Sequence, residues 1–233
     1  MAAGSQPSRK VTLKMHVLTR GEWAFLVAIF VYSFIPSVVG LLRIPELLGG
    51  PMLMPSNPRA VTEPVPIILH ILGSAVFCLL GALQFLPSLR KMRPHLHRRL
   101  GWFVAVGGGI SALTGLWMTI GYAFPQAPQG PLLFSARIVF SLGMLGFIVW
   151  AVFAIRFRNV CRHRAAMLRA YAIGQGASTQ TALFLLVMAF FGTEPLGFAR
   201  DVLMVAAWVI NIAAAEILIR RVFVPRGAIS KAM

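Results

Sequence analysis

Residues 65–86 read VPIILHILGSAVFCLLGALQFL, without a single Asp, Glu, Lys or Arg. A helix rises about 1.5 Å per residue and the hydrocarbon core of a bilayer is about 30 Å thick, so about 20 apolar residues make one crossing. Working outward, five further apolar runs of similar length lie at 23–42, 102–122, 138–155, 168–191 and 202–219. The whole chain is 58% hydrophobic and 12% charged, against about 25% charged in an ordinary soluble domain. A water-soluble fold of this size could not bury that much apolar surface. The expectation is an all-α polytopic membrane protein, a bundle of about six transmembrane helices. It divides into a basic segment 1–20, a transmembrane domain 21–221 and a tail 222–233, with no separate soluble domain. The first run ends at Leu41-Leu42-Arg43 without a small-x-small cleavage pattern and reads as an uncleaved anchor.

The net charge of +16 raises nucleic acid as a partner, but the basic residues cluster between apolar runs instead of forming a patch interleaved with aromatics. Arg9, Lys10, Lys14 and Arg20 precede the first run; Arg90, Lys91, Arg93, Arg98 and Arg99 follow the second. Arg156, Arg158, Arg162, Arg164 and Arg169 follow the fourth, and Arg220, Arg221, Arg226 and Lys231 follow the sixth. That leaves only Arg43, Arg59, Arg137 and Arg200 for the other side. Lys and Arg concentrate in cytoplasmic loops, so both termini are expected in the cytoplasm. The expected partners are the lipid bilayer, with anionic lipid at the cytoplasmic face, and a larger membrane complex; nucleic acid is not among them. Cys78 and Cys161 fall in a span and a cytoplasmic loop, so no disulfide is expected between them.

Helix association in lipid depends on close backbone approach, and Gly107, Ser111 and Gly115 form one small-residue stripe on the third run. Pro36 interrupts the hydrogen-bond ladder of the first. Polar groups inside a span are costly unless they face the bundle interior or water. On an ideal wheel, Ser74, Gly81 and Gln84 fall at about 40°, 20° and −40° from His70. Tyr171, Gln175, Ser178 and Thr179 cluster on the fifth run, and Asn211 sits in the middle of the sixth. These residues would line an internal polar cavity, or else hold helices together by hydrogen bonds. Glu216 lies one turn before Arg220, which suggests an i,i+4 pair or an intramembrane proton relay.

A doubled motif is more specific. Arg90 precedes His97-Arg98, and Arg156 precedes His163-Arg164, at the same seven-residue spacing. Each His-Arg pair opens an outward-running helix, whose free amide donors favour anions such as a phosphate head group or a haem propionate. His95, His97 and His163 with Cys161 also raise metal binding, but no spacing among them defines a site. No nucleophile elbow, phosphate-cradling glycine loop or paired-carboxylate site is present, which leaves the chain without a complete catalytic motif.

The stretches 70–74 (HILGS), 81–85 (GALQF), 97–101 (HRRLG), 111–118 (SALTGLWM), 163–172 (HRAAMLRAYA) and 207–211 (AWVIN) resemble a bacterial family of predicted membrane proteins classed as domain of unknown function 2306. The resemblance covers most of 65–221 and implies a multi-pass protein of the cell membrane, the inner one in a Gram-negative bacterium. A looser likeness is to the b-type transmembrane cytochromes, which would make haem b the cofactor, with His97, His163, Arg98, Arg164 and His70 around it. The chain departs from them in having only His70 near its outer side. Three functions follow: an accessory or ligand-binding bundle, a haem- or quinone-binding redox protein, and a small transporter whose path passes Gln84, Gln175, Asn211 and Glu216.

Overall fold

The structure, a computed structural model, describes residues 18–223 except 53, 56, 126 and 127. Arg9, Lys10, Lys14, Arg226 and Lys231, and with them most of the 1–20 and 222–233 segments, lie outside the described residues. Every element among the described residues is helical: α1 (Arg20–Leu47), α2 (Pro58–Thr62), α3 (Pro64–Ala75), a π turn (Val76–Leu80), α4 (Gly81–Gln84), α5 (Pro87–Met92), α6 (Pro94–Gly121), α7 (Pro131–Arg156), α8 (Val160–Gly174), α9 (Gly176–Phe191) and α10 (Gly197–Phe223). Six stretches are long and apolar enough to cross a membrane: Arg20–Leu47, Pro64–Gln84, Pro94–Gly121, Pro131–Arg156, Val160–Phe191 and Gly197–Arg221. They answer to the six apolar runs. The third and fifth begin well before the hydropathy does, because His97-Arg98 and His163-Arg164 are helical although polar. Charge ends an apolar run without ending a helix.

Proline marks the starts. Pro58, Pro64, Pro87, Pro94 and Pro131 each stand in the first turn of α2, α3, α5, α6 and α7, where a missing N–H costs nothing and φ is already helical. At the start of α1 a capping box forms: Thr19 Oγ1 accepts from the Glu22 amide at 3.2 Å, and Glu22 Oε2 accepts from the Thr19 amide at 2.9 Å. The same carboxylate accepts from the Ser88 amide and hydroxyl at 2.7 and 2.6 Å, tying α1 to α5.

The tightest helix contact is between α3 and α6. A Cβ on Gly73 would meet the Gly107 carbonyl oxygen at 2.7 Å, and one on Gly107 would meet Val76 Cγ1 at 2.8 Å. The two backbones touch, and only glycine on each side permits it. The fully buried Phe77 ring then fills the space that Gly108 of α6 and Gly174 of α8 leave open. It sits in a core with Met144, Ile148 and Tyr171. The small-residue stripe of α6 thus packs against α3.

Two spans are irregular near their middles. The π turn at Val76–Leu80 joins α3 to α4, and beyond it Gly81 and Gln84 still meet α6, near Val104 and Gly101. Val76, on the far side of the ideal wheel from His70, packs against Gly107 instead of facing lipid. Tyr171 OH donates to the Cys78 carbonyl inside the π turn at 2.6 Å, satisfying a group the irregular ladder frees. The fifth span breaks at Gln175, between α8 and α9.

The close contact makes a direct prediction. Gly107→Leu should lower stability in detergent by about 2 kcal/mol or more, as overpacking does. Gly109→Leu, which opens on free space, should change the thermal melting curve by less than about 0.5 kcal/mol. Equal tolerance would place the α3–α6 contact elsewhere.

Candidate functional site

A cavity of about 350 Å³ lies inside the bundle, walled by α1, α3, α6, α7, the end of α8, α9 and α10. Its floor and sides are largely apolar, with Phe140, Met144, Ile173, Met204 and Trp208 among them. Phe140 and Trp208 stack with centroids 4.9 Å apart. Polar groups gather toward the end that holds the α1–α3 and α6–α7 connections: Asn57, His70, Ser111, Thr119, Tyr122 and Arg137. Asn57 and Phe124 come from those connections, so the loops cover part of the mouth. Tyr122 OH donates to the Glu63 carbonyl at 2.6 Å and joins the two loops.

His70 is oriented by α6. Its Nδ1 lies 2.9 Å from the Ser111 carbonyl oxygen, an acceptor, so Nδ1 carries the proton and donates. Thr114 Oγ1 is 3.3 Å from the same nitrogen and donates to the Ile110 carbonyl at 2.6 Å. Nε2 has no protein partner among the described residues. Ser74 Oγ and Ser111 Oγ are 2.7 Å apart in the same wall. Gly115 leaves room beside the ring: a Cβ there would lie 3.4 Å from His70 Cε1 and 3.5 Å from Ser141 Oγ.

Arg137 is the one charged side chain in the cavity wall among the described residues. It donates to Gln129 Oε1 and lies 5.0 Å from the centroid of the Phe124 ring, which also carries Arg59 at 4.5 Å. Neither guanidinium has a carboxylate partner among the described residues, and Arg59 Nη1 is buried without any hydrogen bond. Three of the nearby acids are committed elsewhere. Asp201, 1% exposed, accepts from the Gly130 and Leu133 amides at 3.0 and 3.1 Å and caps the N-terminus of α7. Glu194 pairs with Arg200 at 2.5 Å, and Glu46 with Arg43 at 2.8 Å.

Of the residues expected in a cavity, His70, Ser74 and Ser178 line it. Tyr171, Gln175, Thr179 and Asn211 form an interhelical network alongside. Gln175 Oε1 accepts from Ser33 and Ser178 at 3.0 and 2.9 Å, and its Nε2 donates to Tyr171 OH at 2.9 Å. Tyr32 bonds Thr179, which donates to Asn211 Oδ1 at 2.7 Å, and Asn211 Nδ2 donates to the Ala172 carbonyl at 3.0 Å. Gln84 and Glu216 lie toward the opposite, basic end. Glu216 takes a bidentate bond from Arg169 of α8 at 2.5 and 2.9 Å, so its ion pair runs between helices and not to Arg220 one turn away.

The doubled motif keeps its symmetry in space. His97 and His163 are each the fourth residue of their helices, α6 and α8. Gly108 and Gly174, which flank the Phe77 ring, each lie eleven residues beyond their histidine. Helix α7 packs against both α6 and α8, and His97 and His163 lie close enough for the charge of one to act on the other. His163 Nδ1 donates to the Ala151 carbonyl at 2.9 Å, His97 Nδ1 is buried without a partner, and Arg98 is exposed. No group of three or more His, Cys, Asp or Glu residues gathers among the described residues.

Sequence reasoning missed Arg137, Ser111 and Asp201. Arg137 reads as a loop charge when the fourth span is started at the hydropathy edge, 138. Pro131 was the available signal: a proline six residues earlier places Arg137 two turns inside the helix.

Six apolar helices around a partly polar interior define a polytopic helical membrane protein. The chain belongs to the family described as "Predicted membrane protein (DUF2306)", whose model matches residues 67–219. No curated protein and no solved structure matches it, and the b-type cytochrome likeness has no counterpart in these comparisons. The family match begins inside the second span, so α1, which supplies Ser33, Pro36 and Gly40 to the cavity, lies outside it.

The Asp201 cap yields a prediction on the cavity mouth. Asp201→Ala should destabilise the protein by about 2–3 kcal/mol, since it strands two buried amides that now bond a carboxylate. Asp201→Asn should recover part of this in the same thermal melt. No loss in either variant would mean that water replaces the cap.

Proposed function

We propose that the protein is a non-enzymatic ligand-binding bundle of the cell membrane, the inner membrane in a Gram-negative bacterium. Its central cavity takes one small molecule that enters from the non-cytoplasmic side. The observation that carries this reading is the cavity of about 350 Å³ with an oriented His70 in its wall, since ligand sites pair a mostly apolar lining with a few fixed polar groups at volumes of about 300–1,000 Å³. The basic end faces the cytoplasm and rests on anionic lipid, where each Lys or Arg near the surface contributes about 1 kcal/mol.

Two experiments test this. Organic extracts of protein purified in mild detergent should contain a small molecule in stoichiometric amount, and Gly115→Phe, which fills the space beside His70, should lose it. Identical extracts from both would contradict the reading. For orientation, an impermeant maleimide added to intact cells should label Met52→Cys, made with Cys161→Ser, and should leave Cys161 of the native chain untouched. Labelling of Cys161 would reverse the topology.

A transporter is the second reading, and one observation favours it. The π turn of the second span and the Gln175 break in the fifth both border the cavity, and interrupted helices at mid-depth surround the substrate sites of transporters. Movement of the extracted molecule across a liposome membrane containing the protein would separate carrier from receptor.

A further inference from the structure

We infer that the cavity is selective for an organic anion, with an acidic head held by Arg137 and an apolar body lying along Phe140, Met144 and Trp208. This rests on the cavity being a ligand site and adds the class of ligand.

The argument begins with charge. Arg137 is two turns inside a membrane-spanning helix, and a cation at that depth is stable only against a counter-charge or in a water-filled space. Its direct partners are neutral: the Gln129 side-chain oxygen and the Phe124 ring. Arg59 approaches the same ring and adds a second positive charge with a buried, unbonded Nη1. Asp201 is close enough for its charge to act on Arg137, but its oxygens are spent on the α7 amides, Arg59 and Arg200 act on Arg137 in the opposite sense, and Glu194 is paired with Arg200. The cavity wall itself supplies no carboxylate to pair with Arg137.

The wall's other polar groups offer an anion little, which leaves its head to Arg137. His70 Nδ1 donates to the Ser111 carbonyl, which leaves its other nitrogen, Nε2, an acceptor. Tyr122 and Thr119 both spend their hydroxyl protons on backbone carbonyls, of Glu63 and Gly115. Guanidinium is then the strongest donor facing the cavity, and its planar fork matches a carboxylate or phosphate. The apolar residues deeper in the wall exclude a bare inorganic ion as the best occupant. An anionic amphiphile satisfies both ends.

Ser141, one turn after Arg137 on α7, also lines the cavity and supplies the probe position. The chain carries Ser141→Cys with Cys78→Ser and Cys161→Ser, purified in a neutral detergent. It is treated with an anionic sulfonatoethyl and with a cationic trimethylammonioethyl methanethiosulfonate, each rate divided by that reagent's rate with free cysteine. The anionic reagent should react at least about tenfold faster, the preference one nearby charge gives even in a high-dielectric site. Arg137→Lys should keep the preference and Arg137→Gln should remove it. Octanoate should slow the reaction, and octylamine or inorganic phosphate at the same concentration should not.

The outcomes separate. If neither reagent reacts until the protein is denatured, the cavity reading itself fails. If both react and the cationic one is as fast or faster with Arg137 intact, the cavity stands and anion selectivity is overturned. Equal protection by phosphate and octanoate would overturn the apolar body and leave a site for small anions.

Discussion

The contact of Gly73 with Gly107 is the constraint from which the rest of the bundle follows. Lipid offers no hydrophobic drive for two apolar helices to associate, so they meet by backbone approach and dispersion. Once α3 and α6 touch there, Phe77 has no room on either helix's outer face and turns toward Gly108 and Gly174, bringing α8 to the same centre. Tyr171 of α8 then reaches the Cys78 carbonyl that the π turn exposes. Beside the contact the same two helices are joined by hydrogen bonds, from His70 to the Ser111 carbonyl and between Ser74 and Ser111.

Charge divides the two ends by different means. Most Lys and Arg residues gather at the end where α6 and α8 begin, and the described acids there, Glu22 and Glu216, are each held by several hydrogen bonds. At the cavity end, four arginines meet four acids in the sequence, yet the pairing is uneven. Arg43 and Arg200 have carboxylate partners. Asp201 is taken by backbone amides, which leaves Arg59 and Arg137 around Phe124. The uneven pairing leaves Arg137 in the cavity wall without an ion-paired carboxylate, although Glu63 and Asp201 lie at the same end.

The crossing helices were legible in the sequence because hydropathy and length decide them, and so was the glycine-serine stripe of α6, whose spacing is that of one helix face. The rest needed coordinates for definite physical reasons. The stripe from His70 to Gln84 meets α6 along its length, at Ser111, Val104 and Gly101, but the π turn between its halves carries no signal in the hydropathy. Glu216 has a basic neighbour one turn away, but Arg169 on another helix offers a two-pronged bond that no local pattern encodes. Gln175 and Asn211 are residue types that serve packing and ligands alike, and only their partners show them tied to neighbouring helices. Arg137 was hidden by an edge drawn at the hydropathy boundary, although Pro131 marked the true start of its helix.

Nitrogen NMR of the protein with isotopically labelled histidine, His70 assigned by its loss in His70→Gln, tests the central claim most directly. The account predicts a neutral ring protonated on Nδ1, with an unprotonated Nε2 resonance that moves when octanoate enters the cavity. A ring protonated on Nε2, or an Nε2 resonance indifferent to octanoate in protein that retains Arg137, would contradict a ligand cavity oriented by the α3–α6 contact.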